Sequence, residues 1–432
     1  MLFKNVDIVD ESFNIKENMN VLVKNGRISY VGSDLSSQVK LQGDEEVYDG
    51  KNKLLLPGFV NSHAHTPMTL LRGYSENKVL QKWLFDSVFP FEGKMTAEDV
   101  YNGMMLGIAE MLSFGIVSTT DMYFFCDKMC QAALETGTKF NISNGMTCFD
   151  NKSFKENNSY IETQSILKNY HRANDGSILV DASVHGEYTS NPEIVSEVVE
   201  YATANGLNMH LHLSETKTEH EECVERRGVT PAEYFSKLGV FDLNTTAAHC
   251  VWVTKDDIEI LKAYDVTVAA NPVSNLKLAS GICPAIDMMK SGINVAIGTD
   301  GVASNNNLNM QEEMKVFALL QKVAENDPTA IMPSEALKAV TYNGCVGQGR
   351  SDSGLIKEGF RADLIVVDMD KPYYYPRHNL INNLVYSGSG ADVCMTMVNG
   401  KVLYKDGEYT TLDIECVKYN AQKSVNEILA RL

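Results

Sequence analysis

The stretch PGFVNSHAHTPMTLLRG, residues 57–73, closes an apolar run with two histidines that are one residue apart. Because side chains alternate along a β-strand, we expect His63 and His65 to point to the same side with their rings close together. Two imidazoles aimed at one point suit a metal ion, although a hydrogen-bonded pair at a strand end explains the same spacing. The stretch alone leaves both interpretations open.

The stretch opens a regular alternation of apolar, β-rich runs and segments with helical periodicity. Eight such runs occur, at 54–65, 116–123, 140–147, 178–186, 207–215, 245–250, 266–272 and 293–300. The helix candidates between them include 96–115 and 254–265, which each open with a threonine and acidic residues. Eight alternations predict an α/β fold of the (β/α)8 TIM-barrel type, whose buried parallel strands read as continuous apolar runs.

The two ends of the chain have a different texture. NVLVKNGRISYVGSD (20–34) and VCMTMVNGKVLYKDGEYTTLD (393–413) are short alternating strands around Asn-Gly, which is a strong hairpin signal. The run ADLIVVD (362–368) adds a further β-branched strand near the second of these hairpins. We therefore expect both ends to contribute antiparallel β-structure to one small domain.

Composition narrows the class of protein. The 432 residues are 44% hydrophobic and 22% charged, which is typical of a globular protein with a sizeable core. A net charge of −18 argues against a nucleic-acid partner, which needs clustered lysine and arginine. Nine scattered cysteines fit a reducing compartment, and neither a signal peptide nor a twenty-residue apolar span is found. These features predict a soluble, cytoplasmic protein without a membrane partner.

Polar residues recur where the predicted strands end. In a barrel these ends meet at one face, where active sites are built. Each residue has an ordinary explanation when taken singly, as a satisfied core histidine or as a turn aspartate before glycine. Their concentration at the ends of strands one, five, six and eight favours a functional site instead. Those at strands one, five, six and eight are His63, His65, His212, Glu215, His249 and Asp300, while Asp121 and His185 lie at the ends of the second and fourth strands.

This set predicts a particular chemistry. Imidazoles and a carboxylate suit zinc, iron or another borderline divalent ion, which lowers the pKa of a bound water towards neutrality. Glu215 lies three residues beyond His212 and is not needed as a ligand, so we expect it to shuttle a proton. We expect Asp300 to touch the metal and orient the nucleophile, and His249 to stabilise developing negative charge.

The motifs PGFVNSHAH, HLHLSET, AAHC, NPVSNLKLASG and GTDGVASNNNLNM resemble the successive barrel motifs of the amidohydrolase superfamily. More closely, they resemble its methylthioadenosine/S-adenosylhomocysteine deaminase group and the related triazine chlorohydrolases. The resemblance covers almost the whole chain, from RISYVG to GLIKEGFRADLIVVD. It implies a barrel over residues 57–356 and a small composite β-sandwich domain made from 1–56 and 357–432.

The resemblance also implies a ligand set and roles. One divalent metal, foremost zinc with iron, manganese and nickel left open, would be held by His63, His65, His212 and Asp300. Glu215 would be the acid–base residue and His249 would orient the hydroxide, with Glu215 and Asp300 also meeting the substrate. Further implied substrate contacts are Glu92 to the ribose hydroxyls, His185, and Trp83 in the pocket wall. The residues alone suggest a surface role for Glu92 and a core role for Trp83.

The leading functional hypothesis is hydrolytic deamination of a small-molecule adenine nucleoside to its inosine derivative and ammonia. The candidate substrates are methylthioadenosine, adenosine and 5′-deoxyadenosine, with S-adenosylhomocysteine as a further one. In the group that the chain resembles, arginines reached after the second and third strands hold the homocysteine tail. No arginine lies between Arg72 and Arg172 here, which weighs against S-adenosylhomocysteine, with a loop lysine left open as a substitute. Binuclear members of the superfamily that the chain resembles bridge two metals with a modified lysine on the fourth strand. That strand has no lysine here, so the resemblance implies a mononuclear centre.

Two alternatives stay open at this point. The same machinery can act on another heterocycle, such as guanine, a pterin or a triazine. A non-catalytic metal-binding scaffold is a more remote alternative, because the ligand and acid–base residues are all present. Homo-oligomer formation is also left open.

Overall fold

The computed structural model describes residues 1–35, 46–78, 80–149 and 152–432. In chain order their strands are β1 (Leu2–Val9), β2 (Ile15–Lys24), β3 (Arg27–Gly32), β4 (Val47–Asp49), β5 (Lys53–Pro57), β6 (Phe59–His65), β7 (Ile116–Tyr123), β8 (Lys139–Asn144), β9 (Ile178–Val180), β10 (Ala182–Ser183), β11 (Met209–Leu213), β12 (Thr245–His249), β13 (Thr267–Ala270), β14 (Val295–Ile297), β15 (Asp300–Gly301), β16 (Leu364–Asp368), β17 (Val393–Val398), β18 (Lys401–Lys405) and β19 (Glu408–Tyr409).

Helices fill most of the connections. The α-helices are α1 (Leu80–Trp83), α2 (Phe89–Glu92), α3 (Ala97–Ser113), α4 (Cys126–Thr136), α5 (Asn158–Tyr170), α6 (Ala173–Gly176), α7 (Pro192–Asn205), α8 (Lys217–Arg227), α9 (Pro231–Lys237), α10 (Lys255–Ala263), α11 (Pro272–Lys277), α12 (Ala285–Ser291), α13 (Val302–Asn305), α14 (Met310–Ala324), α15 (Pro333–Ala339), α16 (Tyr342–Gly347), α17 (Leu380–Ser387) and α18 (Ile414–Arg431). A π-helical turn, Leu84–Val88, joins α1 to α2, and 3-10 turns lie at Thr66–Leu71, Phe154–Glu156, Glu187–Thr189, Val240–Asp242, Pro372–Tyr374 and Gly390–Asp392.

Ten strands form two parallel sheets, β15-β6-β7-β8-β9 and β10-β11-β12-β13-β14. Only Asp181 separates β9 from β10, and only Gly298 and Thr299 separate β14 from β15. The two sheets therefore continue into each other at the fourth and eighth strand positions, and β15 pairs with β6 to close the ring. A Cβ at Gly298 would lie 2.6 Å from the backbone nitrogen of His63, so this crossing has no room for a side chain. Parallel strands in an α/β arrangement confirm the predicted fold class at this level.

The predicted helix starts are also found. Thr96 and Thr254 cap α3 and α10, and each forms a capping box with an aspartate three residues later. The box pairs a threonine oxygen and a carboxylate with backbone N–H groups that the helix itself leaves unpaired. Helix α3 ends beside Gly115, whose φ is +83°.

Both chain ends meet in one mixed sheet of order β19-β18-β17-β16-β5-β1-β2-β3, with β4 paired to β1. The predicted hairpins turn at Asn25-Gly26 and Asn399-Gly400, where all four residues have positive φ. That conformation gives a two-residue turn the twist of its flanking strands. A small apolar core, including Phe3, Val21 and Met395, belongs to this sheet, while the large core lies in the ring and its helices.

The prediction of one strand over 54–65 is wrong. Strand β5 pairs antiparallel with β16 in the mixed sheet, whereas β6 lies in the parallel ring. Gly58 lies between the two strands, where the chain passes from the mixed sheet to the parallel ring. This position has no room for a side chain, because a Cβ there would lie 2.2 Å from Val117. The described terminal strands form a single sheet, so two packed sandwich layers stay a prediction, and residues 36–45 of that predicted domain lie outside the described residues.

Helix α18 packs along α3 of the ring. Asn102 donates to Ser424 at 3.1 Å, and Arg431 donates to Asp99 at 3.0 Å. Within the described part of the chain, no helix is both long and apolar enough to traverse a bilayer.

Candidate active site

Four side chains converge where the parallel strands end. His63 and His65 come from β6, His212 from β11 and Asp300 from β15. The Nε2 atoms of His65 and His212 are 3.3 Å apart. Asp300 Oδ1 lies 3.4 Å from Nε2 of His63 and 3.3 Å from Nε2 of His65. The sequence prediction that these four residues lie together is therefore matched by their positions.

The rings of His65 and His212 are oriented by backbone carbonyls. Nδ1 of His65 donates to the carbonyl of Met122 at 2.6 Å, and Nδ1 of His212 donates to the carbonyl of His185 at 2.6 Å. These bonds place the ring protons on Nδ1 and leave each Nε2 lone pair facing the cluster. That tautomer is the one a metal ligand requires.

His63 is held by a second histidine. Its Nδ1 lies 2.9 Å from Nε2 of His210, and both residues are fully buried. Within the described residues, His63 Nε2 is a buried atom that has no hydrogen-bond partner. An orphaned buried nitrogen costs free energy unless something pairs with it.

A divalent ion meets these requirements. Ligands bonded at 2.0–2.1 Å around a tetrahedral centre lie about 3.3–3.4 Å apart. The three separations given above, 3.3, 3.3 and 3.4 Å, have that value. Three imidazole nitrogens and one carboxylate oxygen therefore fit a zinc-like ion by donor type and by spacing.

Asp300 is fixed by two hydroxyls. Ser274 and Ser304 donate to its Oδ2 at 2.6 and 2.9 Å, which leaves Oδ1 to the histidines. Asp300 and His249 also have positive φ, +62° and +71°, which is strained for residues with a Cβ. The left-handed turns aim both side chains across the end of the ring.

Glu215 and His249 lie beside the four converging residues. Glu215 Oε2 is 3.8 Å from His249 Nε2, and Nδ1 of His249 is 2.9 Å from Oδ1 of Asn275. Burial raises the pKa of Glu215, which suits a group that accepts and releases a proton. Glu219 accepts from the backbone N–H groups of Ser214 and Glu215 at 3.0 and 2.8 Å, so the turn that carries Glu215 is held rigidly.

A cavity of about 320 Å³ opens from this cluster. Eight of the nine site residues predicted from the sequence line it: His65, Trp83, Glu92, His185, His212, Glu215, His249 and Asp300. His63 is fully buried and is not among the lining residues. The structure thus brings all nine to one region, while their individual roles stay predictions.

Glu92 is not an exposed surface residue, and its carboxylate has a hydrogen-bond partner. It is partly buried, and Tyr123 donates to its Oε1 at 2.6 Å. Burial raises the pKa of Glu92 to about 7. His185 also lines the cavity, with its ring centroid 4.7 Å from that of His212 and its Nδ1 3.1 Å from Oγ1 of Thr189, and burial lowers its pKa to about 4. A neutral imidazole and a titratable carboxyl therefore face the same space.

Sequence reasoning missed the residues behind the cluster. Their signals were present in the motifs, since His210 stands two residues before His212 and therefore on the same strand face. The motif NPVSNLK contains Ser274, which donates to Asp300, and Asn275, which accepts from His249. Nothing in the spacing alone marks Glu219 as the acceptor for the Glu215 turn.

The comparisons with known proteins agree with this geometry. Residues 54–403 match the model of the Amidohydrolase family. A 5-methylthioadenosine/S-adenosylhomocysteine deaminase of Dictyoglomus thermophilum is 43% identical over 397 residues, which cover 92% of each chain. A 5′-deoxyadenosine deaminase of Methanosarcina mazei is 38% identical over 412 residues, covering 95% of this chain and 94% of its own.

A solved structure is similar over nearly the full length. It is an adenosine deaminase from Xanthomonas campestris with bound zinc, with a TM-score of 0.93 and 30% sequence identity. The match covers 99% of this chain and 98% of that one.

Proposed function

The chain belongs to the amidohydrolase family, and from this premise we propose that it is a metal-dependent hydrolase that deaminates adenine nucleosides. Water and the nucleoside would give the inosine derivative and ammonia. The observation that carries the proposal is Glu215 beside His63, His65, His212 and Asp300 at the end of one cavity. The names of the relatives support an adenine nucleoside as the substrate class.

The proposed cofactor is one divalent metal ion, foremost zinc. Its ligands would be His63, His65, His212 and Asp300. The donor atoms of His63, His65 and His212 lie within 4.8 Å of one another, and those of His63 and Asp300 belong with His249 to a second such group. Such an ion supplies a nucleophile at neutral pH by lowering the pKa of a water molecule. The zinc bound to the similar adenosine deaminase supports this choice over iron, manganese or nickel.

Glu215 is the proposed proton carrier. Its carboxylate would take a proton from the attacking water and deliver it to N1 of the adenine ring as the oxygen adds to C6. The proton of the new C6 hydroxyl would then pass through Glu215 to the amino group, so that ammonia leaves C6 and the ring becomes hypoxanthine. The raised pKa of Glu215 supports this role because the group must be protonated for part of the cycle.

His249 and Asp300 would orient the attacking water. Nε2 of His249 faces Glu215, while its Nδ1 is held by Asn275, so the ring cannot turn away. This arrangement supports a role in stabilising the charge that develops on the oxygen at C6. His185, whose ring lies beside that of His212, would meet the substrate as a neutral imidazole.

Glu92 would bind the ribose hydroxyls and Trp83 would pack against the nucleoside. Tyr123 occupies one carboxylate oxygen of Glu92, which leaves the second oxygen to accept from the ribose. A ribose contact favours nucleosides over free bases such as guanine, pterins or triazines. Glu92→Ala is therefore expected to reduce nucleoside turnover and to leave any free-base turnover unchanged.

The test is a substrate panel of adenosine, 5′-deoxyadenosine, methylthioadenosine, S-adenosylhomocysteine and guanine, followed by absorbance and by ammonia release. Removal of the metal with a chelator should abolish turnover, and added zinc should restore it. Glu215→Gln should keep the metal and bind substrate while losing most turnover. Full activity in that variant would refute the assigned role, and turnover of guanine alone would favour the other-heterocycle function.

The proposal extends to the organisation of the chain. A barrel over 57–356, a composite domain from 1–56 and 357–432 with a sandwich form, and a cytoplasmic location are part of it. Assembly into a homo-oligomer stays open and is measured by sedimentation.

A further inference from the structure

The cavity has an inner polar end and an outer apolar end. At the inner end, His249 is 1% and Glu215 8% exposed. The outer wall includes Phe89, Phe149 and Tyr188, which are 36%, 71% and 40% exposed. Exposure thus rises from the four converging residues to the aromatic side chains, which marks the latter as the mouth of the cavity.

Among its described residues, the wall of the cavity carries no guanidinium or ammonium group. Among the described residues that line the cavity, the ionisable side chains are carboxyl groups, imidazoles and tyrosines, with no lysine or arginine. A ligand carboxylate is normally met by a guanidinium or ammonium group, and leaving it unpaired over hydrocarbon is costly. Among the described residues, the mouth therefore offers such a group aromatic and aliphatic side chains, including Leu84 and Leu278, and no cation.

The chemistry of a nucleoside fixes which part meets this mouth. C6 of adenine must reach Glu215 at the inner end, and the ribose follows at Glu92. The 5′ substituent extends from the sugar away from the base, so it points to the aromatic residues. A thioether or methyl group packs well against aromatic rings, since sulfur is polarisable and neither group needs a hydrogen bond.

We propose that the mouth, formed by Leu84, Phe89, Phe124, Phe149, Tyr188 and Leu278, is a specificity subsite for small, uncharged 5′ substituents of the substrate. The inference rests on the proposed deamination of adenine nucleosides and narrows it. Nucleosides with a 5′-methylthio or 5′-deoxy group are the preferred class. A 5′ substituent that carries an amino-acid group is discriminated against.

The first experiment compares kcat/KM for methylthioadenosine, 5′-deoxyadenosine and S-adenosylhomocysteine with the zinc-loaded full chain. We expect kcat/KM for methylthioadenosine to exceed that for S-adenosylhomocysteine by at least about tenfold, mainly through KM, because the tail lacks a charged partner. Equal values for these two substrates would overturn the inference while leaving the proposed function intact.

The second experiment supplies the missing cation. Phe149→Arg places a guanidinium at the mouth, on a side chain that is already largely exposed. We expect the ratio of kcat/KM for S-adenosylhomocysteine to that for methylthioadenosine to rise at least about fivefold. Tyr419→Arg is the matched control, since Tyr419 is 69% exposed on α18 and does not line the cavity. An equal rise in both variants, or no rise in the first, would overturn the inference.

A binding measurement separates this inference from the proposed reaction. Titration calorimetry of zinc-loaded Glu215→Gln with methylthioadenosine and with S-adenosylhomocysteine does not depend on turnover. Methylthioadenosine that binds at least about tenfold more tightly than S-adenosylhomocysteine would support the subsite. If the wild type deaminates neither nucleoside, the same result would support the subsite and refute the deaminase function. Equal affinities would refute the subsite, and no binding of either would refute both.

Discussion

Replacement of Glu92 by glutamine should stabilise the protein at alkaline pH while weakening its activity. Burial raises the pKa of Glu92 from its ordinary 4.5 to about 7, so the folded state holds this proton more tightly than the unfolded state does. Ionisation of Glu92 therefore lowers the free energy of unfolding. This loss is absent below pH 4.5, grows as the pH rises, and reaches its full size above pH 7. At about 1.36 kcal/mol per pKa unit, the full amount is about 3 kcal/mol.

Glutamine has the shape of glutamate but cannot ionise, and its carbonyl can still accept from Tyr123. The linkage relation gives a gain of about 3.4 kcal/mol in the free energy of unfolding at pH 8.5 and about 1.4 kcal/mol at pH 5.5. The gains at the two pH values differ by about 2 kcal/mol. Any effect of the substitution on stability that does not depend on pH cancels in this difference. Nucleoside kcat/KM should fall about ten- to hundredfold, because a charged acceptor for the ribose is lost.

The assay is urea denaturation of the zinc-loaded protein at both pH values, followed by circular dichroism. Glu17→Gln, an exposed substitution on β2, serves as the control and should show no such pH dependence. A stability difference between Glu92→Gln and wild type that is the same at pH 5.5 and 8.5 would refute the reasoning. So would a loss of stability that grows with pH.

Three further predictions concern residues outside the ligand set. Asn275→Leu removes one hydrogen bond of the His249 ring N–H and leaves the Asn271 amide, 3.2 Å from the same Nδ1, as its remaining partner. We expect kcat to fall about three- to tenfold with metal content unchanged by elemental analysis, and an unchanged kcat would contradict the positioning role. His210→Phe removes the hydrogen-bond partner of His63. Chelator competition should then show zinc affinity reduced about ten- to hundredfold, and an unchanged affinity would contradict a role of His210 in orienting His63. Asp363→Asn breaks a buried ion pair with the lysine of β8 and should lower the free energy of unfolding by about 3–5 kcal/mol in urea; a loss below about 1 kcal/mol would contradict it.

The alternation of strands and the His-x-His pair were predictable because both are local patterns. His63 and His65 face one side because of the strand geometry, and the hairpin at Asn25-Gly26 follows from its turn chemistry. The capped start of α3 at Thr96 likewise depends on residues three positions apart. These features need no knowledge of distant parts of the chain.

The split of 54–65 and the partners of the cluster were not predictable in this way. Whether Leu55 pairs with Val366 or continues into β6 is decided by a strand some 310 residues away, and both solutions suit an apolar run. Ser274, Asn275 and His210 reveal their roles only when the ring closes, because their partners come from other strands. The family resemblance supplied Glu92 and Trp83, which no periodicity marks.

The antiparallel pairing of β5 with β16 has a consequence for synthesis of the protein on the ribosome. Leu55 emerges about 310 residues before its partner Val366, which at 5–20 residues per second is a delay of about 15–60 s. During that interval the edge of β5 has no partner strand from the second half of the chain. The nascent N-terminal strands are thus exposed to aggregation until translation is nearly finished, and the parallel ring has time to assemble first. Slowed elongation in the second half of the message should lengthen this interval and increase the dependence of the yield on chaperones.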